Sequence, residues 1–465
     1  MVFKKKILTV LTISMISLSL FANGSSEKNT KEGNKVINVW SQASEDSREG
    51  MMFRKRIDEY NALHTGGYQV ELQNITRAGA GSGYVDKLNA SLTADTMPEI
   101  FTLDGPDVAA YADSGVIQPV NSVLDQSFID GFTDAMLQEG TVSGQLYALG
   151  YQDSAVGIAL NRKIVQYLPE DIKALIPSVD EDWSWQDMYE VAKGIQELRE
   201  NPNTKDIPEI ANLDVAMDWL TSDISKGAYE TGTYFLTPLL WSNGGQLIGN
   251  DGVTLDGYFN SDQNIEALSF MGKFFEDGLV IPVEPTKAFY TEKAGMCIAG
   301  FWFIADMINN YPDLDFMTVR YPKYDMDCGS YTPSGSWAFV TSANVDLSTD
   351  YGKAVGEVLE MLTNDDAAEL YYNDNGAIPG RINKVSVINE NTDNQNYNDA
   401  WHVFKYEVEN TNHARPVTKG YPVLSELWAK DVVLAIGQKG TSDPEEIRAI
   451  VNAAMKKIQI DYDRL

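Results

Sequence analysis

After residue 35 the apolar positions first recur every second residue and then every three or four. Val36-Ile-Asn-Val-Trp40 reads as a short strand. Met52, Phe53, Ile57 and Tyr60 fall on one face of a helix. Residues 68–75 alternate again, the spacing predicts a helix over 83–94 with Val85, Leu88 and Leu92 inward, and residues 98–103 read as a third strand. Strand, helix, strand, helix, strand predicts βαβ units and a largely parallel sheet. Such sheets bind ligands just beyond the carboxyl ends of their strands, which singles out Ser41, Gln42 and Asp104.

The middle of the chain is richer in helix. One helix opens near Trp183–Trp185 and runs to about Arg199. Another begins at Ser261-Asp262, with Ile265, Leu268, Met271 and Phe275 on one side. Residues 294–299 and 337–341 read as strands, and 389–399 as a surface loop. The tail is helical: Ser442-Asp-Pro-Glu445 has the form of a capping box, followed by Ile447, Ile450, Val451, Ala454, Met455 and Ile458 at helical spacing.

The N-terminus changes the picture of where the protein works. Lys4, Lys5 and Lys6 precede an apolar stretch, 7–21, and the small residue Ala22, which predicts a signal peptide over 1–22 and a polar linker over 23–35. With no cysteine before Cys297, no lipid is expected at the cleavage point. The mature protein is expected to be soluble, and periplasmic or extracellular. Export permits a Cys297–Cys328 disulfide, and two buried thiols fit the sequence equally well. Over 465 residues, 36 Lys+Arg stand against 67 Asp+Glu, a net charge of -31, and no basic tract could follow a phosphate backbone. Nucleic acid and anionic membranes are therefore excluded as main partners. Three histidines and two cysteines leave no set of ligands for a zinc site, and no metal or cofactor is expected.

No G-x-S-x-G elbow or P-loop occurs. Gly79-Ala-Gly-Ser-Gly83 lacks the last glycine of a dinucleotide fingerprint, because Tyr84 stands there. Asp325-Met-Asp327 is the nearest approach to a calcium loop and reads as solvated acids. No acidic pair carries the mark of a glycosidase. What remains is a wealth of aromatics, 9 Trp and 23 Tyr, many at strand and helix ends. Sugar rings pack their C–H faces on such rings and need carboxylates and amides for their hydroxyls.

Five blocks, in order, resemble the family 1 extracellular solute-binding proteins of ABC importers, over about 36–458. They are Met97-Pro-Glu-Ile-Phe101 with Ala110-Tyr-Ala-Asp-Ser-Gly-Val-Ile117; Gly157-Ile-Ala-Leu-Asn-Arg-Lys163; Tyr234-Phe-Leu-Thr-Pro-Leu-Leu-Trp-Ser-Asn-Gly-Gly245; Lys293-Ala-Gly-Met-Cys-Ile-Ala-Gly-Phe-Trp302; and Gly376-Ala-Ile-Pro-Gly-Arg381 with Tyr421-Pro-Val-Leu-Ser-Glu-Leu-Trp428. The resemblance implies an α/β, two-lobed periplasmic-binding-protein fold of type II, each lobe a central sheet flanked by helices, with the ligand cleft between. It implies lobe one over 36–149 and 303–343, and lobe two over 150–302 and 344–465.

The resemblance further implies a binding protein rather than an enzyme. It would capture a mono- or oligosaccharide and deliver it to the permease subunits in the cytoplasmic membrane, working as a monomer. Trp302 and Trp428 fall on positions that stack on sugar in the family, Tyr234 on a second-lobe contact, and Gln42 and Asp104 where first-lobe polar contacts lie. Ser336 and Trp337 resemble the turn and strand returning to the hinge, and Arg381 closes its own block. Leu103 and Gly232 depart from the maltose-binding pattern, so maltose is not implied; Trp241 is either a replacement platform or a core residue. Trp302, just after Gly300, is expected to be the main platform, with little effect on the unliganded fold. Two alternatives stay open: a secreted carbohydrate-active enzyme, and the same fold holding a polyamine or other cation.

Overall fold

The computed structural model describes residues 36–77, 82–285, 287–335, 337–386 and 393–464. The expected signal peptide and linker, most of the Gly79 segment, Ser336 and the first four residues of the loop expected at 389–399 lie outside the described residues. The part of that loop from Gln395 onward is helical.

The chain runs β1 (Val36–Ser41), α1 (Arg48–Leu63), β2 (Gln69–Asn74), α2 (Ser82–Ala94), β3 (Ile100–Asp104), α3 (Asp134–Gly140) and β4 (Ala148–Gly150). It continues through β5 (Val156–Asn161), α4 (Trp185–Glu200), β6 (Val215–Asp218), α5 (Tyr229–Ser242), α6 (Asp262–Glu276), β7 (Ala294–Gly300), α7 (Phe301–Asn310) and β8 (Phe316–Arg320). The last part holds β9 (Trp337–Thr341), α8 (Asp350–Thr363), α9 (Asp365–Asn375), α10 (Gln395–Asn410), α11 (Tyr421–Leu427) and α12 (Pro444–Tyr462), with shorter turns between.

Two sheets form. One has the order β2-β1-β3-β9-β4, the other β8-β5-β7-β6. β1 lies parallel to β3, as the βαβ pattern predicts. β9 returns antiparallel to β3 and pairs antiparallel with β4, so the first sheet is mixed rather than largely parallel. In the second sheet β5 is antiparallel to both β7 and β8. All six residues of β5 are buried, as a strand covered on both faces requires.

Local chemistry sets the helix starts. The Ser47 hydroxyl accepts from Gly50 N at 3.0 Å to cap α1, and Ser184 and Asp187 form a reciprocal capping box on α4. The tail helix departs from expectation: Asp443, not Ser442, is its cap, and accepts from both Glu445 N and Glu446 N at 3.0 Å. Ser442 instead donates to Glu276 of α6. Helix α2 is rotated relative to its expected phase. Tyr84, Leu88 and Ser91 face inward, while Val85 and Leu92 are exposed. The Tyr84 hydroxyl fixes that rotation by donating to Thr102 O at 2.9 Å and accepting from Thr102 N at 3.0 Å.

The expected lobe boundaries need correction at two places. β8 lies inside the span 303–343 expected in the first lobe, yet it pairs along its whole length with β5 of the second sheet. α8 and α9 lie in the span expected in the second lobe, yet they pack on α1, with Val355, Val358, Leu359 and Leu362 sharing a core with Phe53 and Ile57. Backbone pairing and an apolar helix face decide both cases. The chain thus passes between the two sheets at 151–155, at 321–336, and again between α9 and α10, which packs on β8.

Candidate functional site

The strand ends build one wall. Gln42, just past β1, donates its backbone N–H to Thr102 Oγ1 at 3.1 Å. Its amide Nε2 reaches Glu49 and the Tyr151 hydroxyl, each at 3.2 Å. Tyr151 also donates to Glu49. Glu49 sits in the first turn of α1, where the helix end favours a negative charge; burial nevertheless pushes its carboxyl upward, against those hydrogen bonds. Asp104 ends β3. Opposite, the start of α5 presents Glu230, Thr231 and Tyr234.

Between these walls lies a cavity of about 390 Å³, lined by Gln42, Glu49, Asp104, Gln152, Ser154, Glu230, Tyr234, Trp302, Trp337 and Arg415 among others. That volume is in the range of small-molecule sites. A second hollow of about 550 Å³ adjoins it through Arg77, Asp104, Glu230 and Thr231, and extends past Asp107 and Tyr421. Burial, with Asp104 and Glu230 nearby, pushes Asp107 up to about 7. The smaller cavity is the better candidate on chemistry, because it alone gathers Trp302 and Trp337 with the strand-end polar groups.

The aromatic side of this cavity is continuous. Trp302 has 41% of its surface exposed and meets Tyr234 edge-on at 5.6 Å and Phe235 at 5.9 Å. Gly300 matters here for closeness rather than for turning. Its φ is -85°, but a Cβ would come within 2.4 Å of the Trp302 ring. Trp337 lies beneath the Arg77 guanidinium, 4.7 Å from its ring centroid.

Arg415 closes the floor. Its N–H groups donate to Asp104 Oδ1 at 2.9 Å, Glu230 Oε1 at 2.9 Å and both Glu139 oxygens at 3.1 and 3.2 Å. Burial opposes its charge, but the three carboxylates outweigh that and hold its pKa well above the ordinary value. Burial pushes Glu139 up to about 7, although Arg415 draws it down.

The structure brings together five of the expected residues, Gln42, Asp104, Tyr234, Trp302 and Trp337. Three others lie elsewhere. Trp428 is fully buried in the core, edge-on to Phe259 at 5.9 Å, so it has no ring face to offer a solute. Arg381 is buried between Asp365, at 2.7 Å, and the rings of Phe128 and Phe132. Trp241 is buried against His413, with ring centroids 4.5 Å apart, beside a separate hollow. Ser336 lies outside the described residues. Sequence reasoning missed Glu49, Glu230 and Arg415. Glu49 carried a weak signal, an acid in a helix's first turn just past a strand; a lone arginine between Ala414 and Pro416 carries none.

The profile described as bacterial extracellular solute-binding protein matches residues 46–369. The chain belongs to this family. Extracellular solute binding is therefore its function. Curated proteins give no sequence match. Among solved structures, the chain is similar to the cyclic α-maltosyl-1,6-maltose binding protein from Arthrobacter globiformis, at 19% identity and a TM-score of 0.73, covering 93% of this chain and 100% of that one. It is similar to an ABC transporter solute-binding protein from Thermotoga lettingae bound with α-D-tagatose, at 17% identity, TM-score 0.65, and coverage of 92% and 99%. A third is the maltose-maltodextrin binding protein of Alicyclobacillus acidocaldarius, at 15% identity, TM-score 0.64, and coverage of 90% and 100%. These likenesses show the two-lobed periplasmic-binding fold. Among the described residues, no helix is long and apolar enough to cross a membrane, and no group of three His, Cys, Asp or Glu side chains is placed to hold a metal ion.

Proposed function

We propose that this solute-binding protein captures a mono- or oligosaccharide outside the cytoplasmic membrane and passes it to the permease subunits of an ABC importer. The observation that carries the reading is the pairing, in one cavity, of the Tyr234, Trp302 and Trp337 rings with Gln42, Asp104 and Glu230. Ring faces supply affinity for the C–H faces of a sugar, and the polar groups fix its hydroxyls. Similar structures whose names record cyclic maltosyl-maltose, tagatose and maltodextrin ligands support the class without choosing a member of it. The exported protein acts as a soluble monomer with no catalytic step and no lipid at its signal cleavage site. Its first lobe spans about 36–150 and 337–386, its second about 156–320 and 395–464, and they close over the sugar as hinged bodies.

A thermal-shift screen over neutral mono- and oligosaccharides tests this. A bound sugar at 100 times its Kd adds about 2.7 kcal/mol of stability. No shift with any sugar, or turnover of an oligosaccharide by the pure protein, would overturn the proposal.

A further inference from the structure

Arg415 is held differently on its two sides. Toward the first sheet it is fixed by Glu139 and Asp104. Glu139 accepts from its backbone N–H at 2.9 Å and from its side chain at 3.1 and 3.2 Å, and Asp104 accepts at 2.9 Å. Glu139 belongs to α3, which packs on β4, and Asp104 ends β3. Toward the second sheet, whose lobe carries its own segment between α10 and α11, the side chain makes one bond, from Nη1 to Glu230 Oε1 at 2.9 Å. Glu230 is itself fixed on that side, accepting from Tyr421 Oη at 2.8 Å and Ser425 Oγ at 2.7 Å, both on α11.

The surroundings leave no slack. A Cβ on Gly105 would come within 2.2 Å of Glu139 Oε2, and one on Gly335 within 2.7 Å of the Tyr234 ring and 2.8 Å of Arg415 Nη2. The Arg415 guanidinium also lies 5.3 Å from the Tyr234 ring centroid.

We propose that Arg415 is the closure latch and a positioning residue of solute capture: carried by the second lobe and steadied there by Glu230, it grips Asp104 and Glu139 across the cleft and sets both cavity carboxylates in place when the lobes meet. Its role in capture rests on the sugar-binding reading above. The latch itself does not, because every bond in it is between protein groups. A charge-assisted hydrogen bond at a buried site is about twice as strong as a neutral one, so its loss favours the open state measurably. Asp104 and Glu230 then cease to face one another at the fixed spacing a sugar's hydroxyls require.

The test measures the distance between lobes without sugar. Spin labels placed by Asp86→Cys on α2 and Glu197→Cys on α4, both exposed positions, in a Cys328→Ser background, report that distance by electron double resonance. Asp104→Asn keeps the shape and can still accept from Arg415 through Oδ1, but removes a charge from the grip across the cleft. Gly335→Ala pushes on the Arg415 guanidinium and the Tyr234 ring while leaving every charge in the molecule unchanged. Both variants are expected to shift the distribution toward longer distances than the parent gives, with circular dichroism unchanged. If both distributions superimpose on the parent's, the latch is refuted. If Asp104→Asn opens the lobes while no sugar in the screen shifts the melt, the latch stands and the sugar reading falls.

Discussion

Trp302→Ala is the perturbation on which the site reading depends most directly. A tryptophan offers up to about 250 Å² of surface, and Trp302 leaves 41% of its own exposed. About 100 Å² of ring is therefore open for a sugar to cover, at about 25 cal/mol per Å². Allowing for incomplete cover, the ring is worth roughly 2 kcal/mol of binding, on the order of thirtyfold in Kd. The covered part of the ring also counts. It packs on Tyr234, Phe235, Phe301 and Phe303 at centroid distances of 5.3 to 5.9 Å. The expectation that the unliganded fold is indifferent to Trp302 is thus revised: truncation should cost about 2 kcal/mol of stability, below the 3–5 kcal/mol usual for a wholly buried tryptophan.

The assay is calorimetric titration with the sugar that gives the largest thermal shift, beside an unliganded melt of the same variant. The expected pair of results is a thirtyfold weaker Kd with a moderate loss of melting temperature. A Kd within threefold of the parent, in protein shown to be folded, would refute the assignment of Trp302 as a platform whatever happened to the melt.

Trp428→Ala should do the opposite, losing about 3–5 kcal/mol in a denaturant melt while leaving the Kd of the folded fraction unchanged; a selective loss of binding would return Trp428 to the site. Glu407 is fully buried, accepting from Tyr321 N at 2.9 Å, and burial pushes it from 4.5 up to about 7. A group protonated more readily when folded stabilises most below its unfolded pKa, so this contribution falls as pH rises from about 4.5 to 7. Glu407→Gln should flatten that stretch of the melting profile, and an unchanged slope would remove Glu407 as its source. Cys297 and Cys328 are both free, the first buried and the second partly exposed. Without reductant, a thiol reagent should therefore find one reactive group in the native protein and two after denaturation; none after denaturation would mean a disulfide.

The first sheet was legible because its strands carry their own signal. Val36 to Ser41 alternates in burial with the apolar Ile37 and Val39 inward, and α6 buries Ile265, Leu268, Met271 and Phe275 as their spacing predicts. What failed has a common cause. The phase of α2 depends on a hydroxyl of Tyr84 reaching a backbone 18 residues away. The allegiance of β8 depends on antiparallel pairing with β5, and no pattern within Phe316–Arg320 names that partner. Trp302 and Trp428 both fall on positions expected to stack on sugar, yet one is half open and the other sealed, because exposure is decided by what packs over them. Arg415 needs carboxylates 185, 276 and 311 residues away in sequence. Local periodicity carries no information about such convergence.

The same distant convergence joins the site to the passages between the sheets. Asp153, fully buried in the first passage, accepts from Thr133 Oγ1 at 2.7 Å, Ser334 Oγ at 2.9 Å and Asn412 Nδ2 at 2.8 Å. Ser334 belongs to the second passage, and Asn412 lies three residues before Arg415. The hydroxyl of the next residue, Ser154, lies against that of Tyr234, and their two protons are shared among this contact, Gly335 O beside Ser154 and Pro333 O at 3.0 Å from the Tyr234 hydroxyl. Tyr234 therefore has its ring on the cavity and its hydroxyl in the hinge. A buried hydroxyl left without partners costs about 1–3 kcal/mol, so the lobes cannot rotate about these passages without moving the ring or paying that penalty. Hinge angle and cavity shape share one network, so closure and solute capture are expected to move as one equilibrium, with the distance between lobes following sugar occupancy in a titration.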